Sequence, residues 1–425
     1  MRGSSFSLPH ALYHPRRRMS ANAARFTLML SLLIVSFCFL GSAVAQDSVL
    51  ATSPYYNWPK GPSPDATFFP TAVWLQSPGN AEKYRAAGFN TYVGLWQGPT
   101  EEQLSALSRA GMRLICEQNE TALRHLGDPT IIGWMHGDEP DNAQELPNHA
   151  GYGPPVSPEK IVESFRRLRD ADPSRPVMLN LGQGVAWDEW YGRGSRSNHP
   201  EDYPKYIEGC DIVSFDIYPA VHDKPQIAGH LNYVAKGVDR LVHWTSGKPQ
   251  VVWNCLECTH ISNPNRKPTP HEVRAEAWMS IIHGSRGLIY FVHEFKPKFR
   301  EAALLDDAEM LAAVTKLNHE ISSLAPVLNE PSVAEVMRVR VSANASAVDT
   351  LTKRHNNATY VFAVEMEGKQ ASADFRLSRA TPAGKIEVIG EDRSITYHEG
   401  GFTDTFKAWE VHLYRLRDQG SQEGR

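Results

Sequence analysis

Between residues 67 and 329, short apolar runs alternate with amphipathic stretches eight times. The runs include "TIIGWMHG", "CDIVSFDIYP" and "GLIYFVHEF", and they lack the regular polar–apolar alternation of a sheet with one solvated face. Such runs are typical of parallel strands that are buried on both faces. Eight strand–helix units over about 260 residues have the usual size of a TIM (β/α)8 barrel. The pattern therefore predicts an α/β fold with a TIM barrel over residues 67–329.

Helix start signals support this count of units. Thr100 and Gln103 have capping-box spacing, and Thr269 precedes a proline at the first helical position. The fifth unit is the weakest, because only a short stretch near "PEDYPKYIEG" is available for its helix. A doubly wound parallel sheet is the structural alternative.

The chain changes character on both sides of the predicted barrel. From about residue 331 it consists of short strands separated by turns, such as "TYVFAVEME" and "AWEVHLYRL". This pattern predicts a small antiparallel β-sandwich over residues 330–417, followed by a polar tail at 418–425. Residues 46–66 are rich in Pro, Tyr and Ser, and we expect them to form an extended segment on the surface.

The N-terminus has the features of a signal peptide. Several arginines precede the apolar run "FTLMLSLLIVSFCFLG", and Ala43 and Ala45 fit the small-x-small rule for cleavage. We expect residues 1–45 to be removed after Ala45, which predicts a secreted or periplasmic protein with no membrane contact after cleavage. An uncleaved signal anchor is the alternative.

Charge and cysteine content exclude several classes of partner. The formal net charge of −4 gives no electrostatic reason to expect a nucleic acid or an anionic membrane surface. Cys255 and Cys258 form a C-x-x-C pair, but no second pair follows at zinc-site spacing. We therefore expect no metal and no cofactor.

In a TIM barrel the active site lies at the carboxyl ends of the strands, so polar and aromatic side chains at those positions are candidates for function. We predict that substrate is bound by Trp74, Trp96, Glu117, His136, Asp138, Asn180, Asp216, Tyr218, Trp253, His293 and Glu294. The aromatic loop over residues 184–206 either contributes to the site or packs onto the barrel rim.

The composition of these strand ends suits a neutral carbohydrate. Indole faces stack on the C–H faces of sugar rings, and carboxylates and amides bind hydroxyl groups. Arginine and lysine are nearly absent from the strand ends, which disfavours phosphorylated substrates. The expected partner is therefore a neutral oligo- or polysaccharide.

Two carboxylates stand out by position. Glu139 follows the fourth predicted strand, and Glu257 ends the seventh. Cleavage of a glycosidic bond needs one carboxyl group to protonate the leaving oxygen and a second to attack or stabilise the anomeric centre. Strand alternation places Trp253, Cys255 and Glu257 on one face, so Glu257 can point into the barrel mouth.

With these two positions, the chain from residue 67 to 416 resembles the retaining glycoside hydrolases of clan A. The resemblance implies Glu139 as acid/base and Glu257 as nucleophile. It also implies that Tyr218 in "DIYP" is similar to an aromatic residue on the nucleophile side, and that Trp96 and Asn180 are subsite residues. The sequence departs from the clan in "GDEP", where Asp138 replaces the usual Asn before the acid/base.

This departure leaves alternatives open. An Asp-Glu pair is also similar to that of substrate-assisted hexosaminidases, in which Asp138 would orient an N-acetyl group and Glu139 would be the acid. A carbohydrate-binding barrel without catalytic activity is a second alternative. A metal-dependent hydrolase is a third, disfavoured because no three His or carboxylate residues have metal-ligand spacing.

Overall fold

The computed structural model describes residues 53–333, 337–341, 347–378 and 383–417. The predicted signal peptide and the polar tail at 418–425 lie outside the described residues and stay predictions. Among the helices that are described, none is long and apolar enough to cross a lipid bilayer.

The barrel sheet is parallel, and its strands follow one another around the ring in chain order. From β7 the order is β6, β5, β4, β3, β2, β1, β9 and β8. The strands are β1 (Thr71–Trp74), β2 (Thr91–Val93), β3 (Arg113–Cys116), β4 (Ile131–Met135), β5 (Val177–Leu181), β6 (Ile212–Phe215), β7 (Val251–Val252), β8 (Asn254–Glu257) and β9 (Leu288–Phe291).

The seventh barrel strand is broken at Trp253 into β7 and β8. β7 pairs with β6 on one side, and β8 pairs with β9 on the other. The Trp253 backbone N–H still donates to Val213 O over 2.9 Å, so the two segments together close the ring. The predicted TIM barrel is therefore confirmed, and the open doubly wound sheet is not what the chain forms.

Eight α-helices are assigned in the described residues. They are α1 (Ala81–Ala86), α2 (Glu101–Arg109), α3 (Glu120–Arg124), α4 (Pro158–Ala171), α5 (Tyr203–Tyr206), α6 (Asn232–Trp244), α7 (Pro270–Ile282) and α8 (Ala308–Leu328). α2 begins with the predicted capping box between Thr100 and Gln103. α5 is a single turn, which explains the weak helical pattern of the fifth unit; its Tyr203 ring stacks on Trp244 at a centroid distance of 5.4 Å.

The interior of the barrel is filled by small and branched side chains from its strands, together with larger ones. Ala72, Ile115, Met178 and Ile289 belong to this inner cluster, as does Trp253. A second apolar layer lies between the strands and the helices. All four cysteines of the described residues are free and buried.

The C-terminal strands form two antiparallel sheets that face each other, as predicted. One has the order β10-β13-β16 and the other β11-β12-β17-β14-β15. Phe375, Phe402 and Tyr414 pack between the sheets. The strands are β10 (Met337–Val341), β11 (Val348–His355), β12 (Ala358–Glu365), β13 (Ala371–Leu377), β14 (Gly384–Val388), β15 (Arg393–Tyr397), β16 (Gly401–Phe406) and β17 (Val411–Arg417).

Helix α7 lies between the barrel and the sandwich and is buried on both sides. Nine consecutive or near-consecutive residues from Val273 to Ile282 are buried, so the helix has no broad solvent face. On the sandwich side, the Trp278 ring lies 5.1 Å from the Phe362 ring on β12. Trp278 also donates from its indole N–H to Glu320 on α8 over 3.1 Å. The helix therefore joins the two parts of the chain through a continuous apolar cluster that includes Trp278, Phe362 and Leu413.

Candidate active site

A cavity of about 870 Å³ opens at the carboxyl ends of the barrel strands. Its walls come from the loops that follow β1, β2, β4, β5, β6, β8 and β9, as expected for the active site of this fold. Seven of the thirteen residues predicted to form the site line it: Trp74, Trp96, Asp138, Glu139, Asp216, Tyr218 and His293.

Glu139 is held in place by the loop that follows β4. Its backbone has a φ of 41°, a left-handed conformation that is uncommon for residues other than glycine and that clusters at functional sites. Asn142 donates from Nδ2 to Glu139 Oε2 over 2.8 Å. Trp190 in turn donates from its indole N–H to Asn142 Oδ1, also over 2.8 Å. Trp190, in the aromatic loop over residues 184–206, therefore fixes the Asn142 amide, and this amide in turn orients the Glu139 carboxyl group.

Asn180 on β5 joins two aspartates of the site. Its Nδ2 donates to Asp138 Oδ1 over 2.9 Å and to Asp216 Oδ1 over 3.1 Å. Because both oxygens bind the same nitrogen, they are at most 6.0 Å apart, the sum of those two distances. Ser214 on β6 donates to Asn180 Oδ1 over 2.7 Å and fixes the orientation of the amide. Asn180 does not line the cavity itself, so it acts from behind the two carboxylates.

Burial raises the pKa of all three carboxylates, and the charge of Asp216 raises the pKa of Asp138 and Glu139 further. Burial and the charges of Asp216 and Asp138 raise the pKa of Glu139 well above its usual value. Desolvation and the Asp216 charge raise the pKa of Asp138 to about 7, although its side chain opens to solvent through the cavity mouth. Burial also raises the pKa of Asp216. Near neutral pH the cluster therefore holds at least one proton, as a site that donates a proton requires.

Tyr218 lies beside this cluster. Its hydroxyl is buried and has no hydrogen-bond partner with regular geometry among the described residues. Burial, followed by the charge of Asp216, raises its pKa, so the hydroxyl is protonated and can donate. The Asp216 carboxylate is close enough to accept this proton, so Tyr218 can donate either to Asp216 or to a substrate oxygen.

The structure does not bring Glu257 into the cavity. The side chain is fully buried, and its carboxylate accepts from the backbone N–H groups of Ala220 over 2.5 Å and Val221 over 2.9 Å. Trp253 and Cys255 do face the barrel interior, as alternation predicts. Glu257 instead holds the loop after β6, next to Glu276 on α7, and burial raises its pKa to about 7. The two predicted catalytic glutamates are therefore not neighbours in one site.

Four further predicted residues also lie outside the cavity lining. His136 is buried and bonds through Nε2 to Gly209 O over 2.8 Å, which ties β4 to the loop before β6. Trp253 is in the barrel core, where its indole donates to the Tyr55 hydroxyl over 2.9 Å. Glu294 forms an ion pair with Arg300 over 2.5 Å. Glu117 is exposed away from the cavity.

Several lining residues were not predicted. Phe291 at the end of β9 and Phe295 and Phe299 in the segment after it contribute, and the last two are 46% and 56% exposed. Gln183 comes from the loop after β5. Trp190 from the same loop also lines the cavity, so the aromatic loop over residues 184–206 contributes to the site, one of the two alternatives stated for it. The sequence signal for Phe295 and Phe299 was their presence in the otherwise polar run "HEFKPKF".

The cavity carries no positive charge to balance its acids. Among the described residues that line it, none is Lys or Arg. Burial lowers the pKa of His293, so this ring is neutral near pH 7. In the part of the chain that the structure describes, no three His, Cys, Asp or Glu side chains are grouped as they would be around a metal ion.

Comparisons with known proteins bear on the fold and on the class of activity. Residues 159–313 match the family model Glyco_hydro_42, described as β-galactosidase. The α-amylase of Geobacillus thermoleovorans, solved with acarbose, has a TM-score of 0.53 at 10% identity, over 83% of this chain and 98% of its own. Gan42B, a GH42 β-galactosidase from G. stearothermophilus, has a TM-score of 0.50 at 9% identity, again over 83% and 98%. A search of curated proteins gave no match.

At such low identities the two structures establish the fold. The family match, which spans α4 to the start of α8, adds a relationship in sequence. Together they confirm the resemblance to the (β/α)8 glycoside hydrolases and support a glycosidase.

Proposed function

We propose that this protein is an exported glycoside hydrolase that cleaves a neutral glycoside, with Glu139 as the general acid/base and Asp216 as the second carboxylate at the anomeric centre. One observation carries the proposal. Glu139 and Asp216 line the same cavity at the ends of β4 and β6, burial raises the pKa of both, and the charge of Asp216 raises the pKa of Glu139 further.

Glu139 has the properties of the proton donor. Its pKa is raised by burial and by two carboxylate neighbours, so it stays protonated at pH values where an ordinary glutamate is ionised. It also remains partly accessible from the cavity, whereas Asp216 is only 8% exposed. A protonated, accessible carboxyl group can transfer its proton to the leaving oxygen as the bond to the sugar breaks.

Asp216 is the proposed nucleophile in place of Glu257. Asn180 donates to its Oδ1, which stabilises the charged form. In the first step Asp216 attacks the anomeric carbon while Glu139 protonates the leaving oxygen. In the second, water displaces Asp216 and returns its proton to Glu139, so the anomeric configuration is retained.

Neutral substrates and export are supported by separate features. Four carboxylates, Asp138, Glu139, Asp216 and Glu301, and no Lys or Arg among the described lining residues disfavour phosphorylated or acidic sugars by charge. The cleavable signal pattern before Ala45 supports secretion to a periplasm or the exterior. Since the matching family model describes β-galactosidases, aryl β-galactosides are the first substrates to assay.

The test uses Glu139→Gln and Asp216→Asn on a panel of aryl glycosides, with Glu120→Gln on the exposed start of α3 as a matched control. Each active-site variant should lose about 100-fold or more in kcat, and the control should match wild type. NMR of the first product should show retention. Hydrolysis undiminished in both variants, or glycan binding with no hydrolysis by wild type on any substrate, would overturn the proposal.

Glu257→Gln separates this proposal from the role predicted from sequence. The amide can still accept a hydrogen bond from the Ala220 or Val221 N–H, so we expect a small effect on kcat. A loss as large as that of Asp216→Asn, at an unchanged melting temperature, would restore Glu257 as the nucleophile.

A second candidate is substrate-assisted cleavage of a 2-acetamido sugar. It is favoured by the position of Asp138 next to Glu139 and by the protonated Tyr218 hydroxyl at the cavity wall, which could bind an acetamide oxygen. In that mechanism the substrate's own carbonyl oxygen attacks, and Asp138 orients it. Matched aryl glycosides with a 2-hydroxyl or a 2-acetamido group distinguish the two, because hydrolysis of the acetamido substrate alone would assign this mechanism.

A further inference from the structure

The cavity has two chemically different halves. Asp138, Glu139, Asp216 and Tyr218 occupy the side formed by β4 and β6. The opposite side, at and after the end of β9, presents three phenylalanine rings, together with Glu301, whose Oε1 accepts a hydrogen bond from the Ser77 backbone N–H over 2.6 Å. The two halves meet where Tyr218 and Phe291 pack at a centroid distance of 5.4 Å. A ligand bound at the carboxylates therefore extends directly onto an apolar surface.

This apolar surface is built by one short segment. Phe295 and Phe299 pack on each other at 5.7 Å, and both stack on His293, at 6.2 and 6.0 Å. Backbone hydrogen bonds between Glu294 and Arg300, of 2.9 and 2.8 Å, close the segment into a hairpin. The rings are thus held in a fixed array although both phenylalanines are about half exposed.

The rings offer nothing to a carbohydrate hydroxyl. Phenylalanine has no hydrogen-bonding group, and Ile261 and Pro78 continue the same wall. Exposed apolar rings of this kind are costly in water and mark a surface that binds an apolar group. A second sugar placed here could stack a C–H face on a ring, but the rings would not replace the hydrogen bonds that its hydroxyl groups lose to water.

We propose that the substrate is a glycoside whose aglycone is apolar, an aryl or alkyl group, and that Phe295 and Phe299 bind this aglycone. The inference rests on the proposed function for the position of the sugar. It replaces the oligo- or polysaccharide expected from sequence with a small amphiphilic glycoside.

The first test is binding of 1-naphthol, an apolar probe without a sugar, followed by calorimetry. The double variant Phe295→Ser/Phe299→Ser should bind it at least tenfold more weakly than wild type. The matched control Tyr56→Ser/Tyr152→Ser removes two exposed aromatic rings outside the cavity and should bind as wild type does. Equal binding by both double variants would overturn the inference.

The second test compares methyl, phenyl and octyl β-galactosides as ligands of Glu139→Gln. Affinity should rise at least tenfold from methyl to phenyl or octyl, and that gain should vanish when the two phenylalanines are replaced. Preference for phenyl over octyl assigns an aryl aglycone, and the reverse assigns an alkyl chain. An oligosaccharide that binds more tightly than both would overturn the inference.

The two proposals fail in different ways. If wild type hydrolyses no glycoside but naphthol binding depends on Phe295 and Phe299, the proposed function fails and the apolar site stands. If glycosides are hydrolysed through Glu139 but replacement of the phenylalanines changes all substrates equally, the proposed function stands and the apolar aglycone is excluded.

Discussion

Asn142 donates a hydrogen bond of 2.8 Å from its amide to Oε2 of Glu139. A donor at a carboxylate favours the charged form and lowers the pKa, against the burial and neighbouring charges that raise it. Asn142 is therefore a positioning residue that limits how far the pKa of the proposed acid is raised.

We expect Asn142→Ala to move the alkaline limb of the kcat/KM profile upward by about one pH unit, because the protonated form of Glu139 is the active acid. Trp190→Phe, which removes the indole donor to Asn142 and keeps a ring, should give a smaller shift in the same direction. The measurement is the pH dependence of kcat/KM for wild type and both variants. An alkaline limb at the wild-type position in both variants would show that Asn142 does not control the pKa of Glu139.

Asn180→Ala should lower kcat by about 10- to 100-fold, the usual effect of losing hydrogen bonds to charged groups. The amide supplies one donor to two carboxylates, and without it the pKa of Asp216 rises further, so the acidic limb of the profile also moves upward. Ser214→Ala should have a milder effect, because it frees the amide to rotate without removing it. A loss of kcat without any change in the profile would indicate a structural role only.

His283, at the C-terminus of α7, should stabilise the protein at low pH and not at high pH. Burial alone would lower its pKa, but hydrogen bonds and charges of Asp239 and Asp349 outweigh this and raise it to about 9. Since the folded pKa is above the unfolded value, the stabilisation is complete below the unfolded pKa and is lost as the pH rises through about 9.

The measurement is urea unfolding of wild type and His283→Gln at pH 6 and pH 10. Wild type should be more stable by about 1–2 kcal/mol at pH 6, a figure reduced because both aspartates are substantially exposed, and the difference should disappear at pH 10. Asp349→Asn should weaken the same dependence. A difference that is constant with pH would show that the charge on His283 is unimportant.

Glu276→Gln should stabilise the protein near pH 8. Burial, together with the charge of Glu257, raises the pKa of Glu276, and the pKa of Glu257 is raised to about 7. For acids with a raised folded pKa, stability falls as the pH rises from the unfolded pKa through the folded one. Removal of one of the two charges should raise the melting temperature at pH 8 by about 2–4 °C, with little effect near pH 5. An equal effect at both pH values would exclude repulsion within this pair.

The barrel and the place of its active site could be predicted because both follow from local patterns. Apolar runs identify strands, and the carboxyl ends of parallel strands meet at one rim, which is why Asp138, Glu139 and Asp216 were found. Glu257 shows where prediction from local patterns fails. Alternation gave the correct direction for Cys255 two residues earlier, but contacts with the loop after β6, 36 and 37 residues away, determine where the last carboxylate binds.

The hydrogen bonds of Asn180 could not be predicted from the sequence either, because they too join residues far apart in the chain. The Asn180 amide joins side chains 42 and 36 residues away, and no spacing rule predicts such a contact. The phenylalanine surface was missed for a different reason. Phe291 and Phe295 were counted as part of the strand "GLIYFVHEF" and not as side chains of the site, and the observed strand ends at Phe291.

The burial of α7 between barrel and sandwich has a consequence for the use of this protein as a scaffold. A truncated protein that ends after α8 would expose the Trp278 face of α7 to water and should aggregate. The sandwich is therefore needed to bury the apolar face of α7. Exchange of barrels or sandwiches among relatives would therefore succeed only where the partner of this helix is exchanged with it.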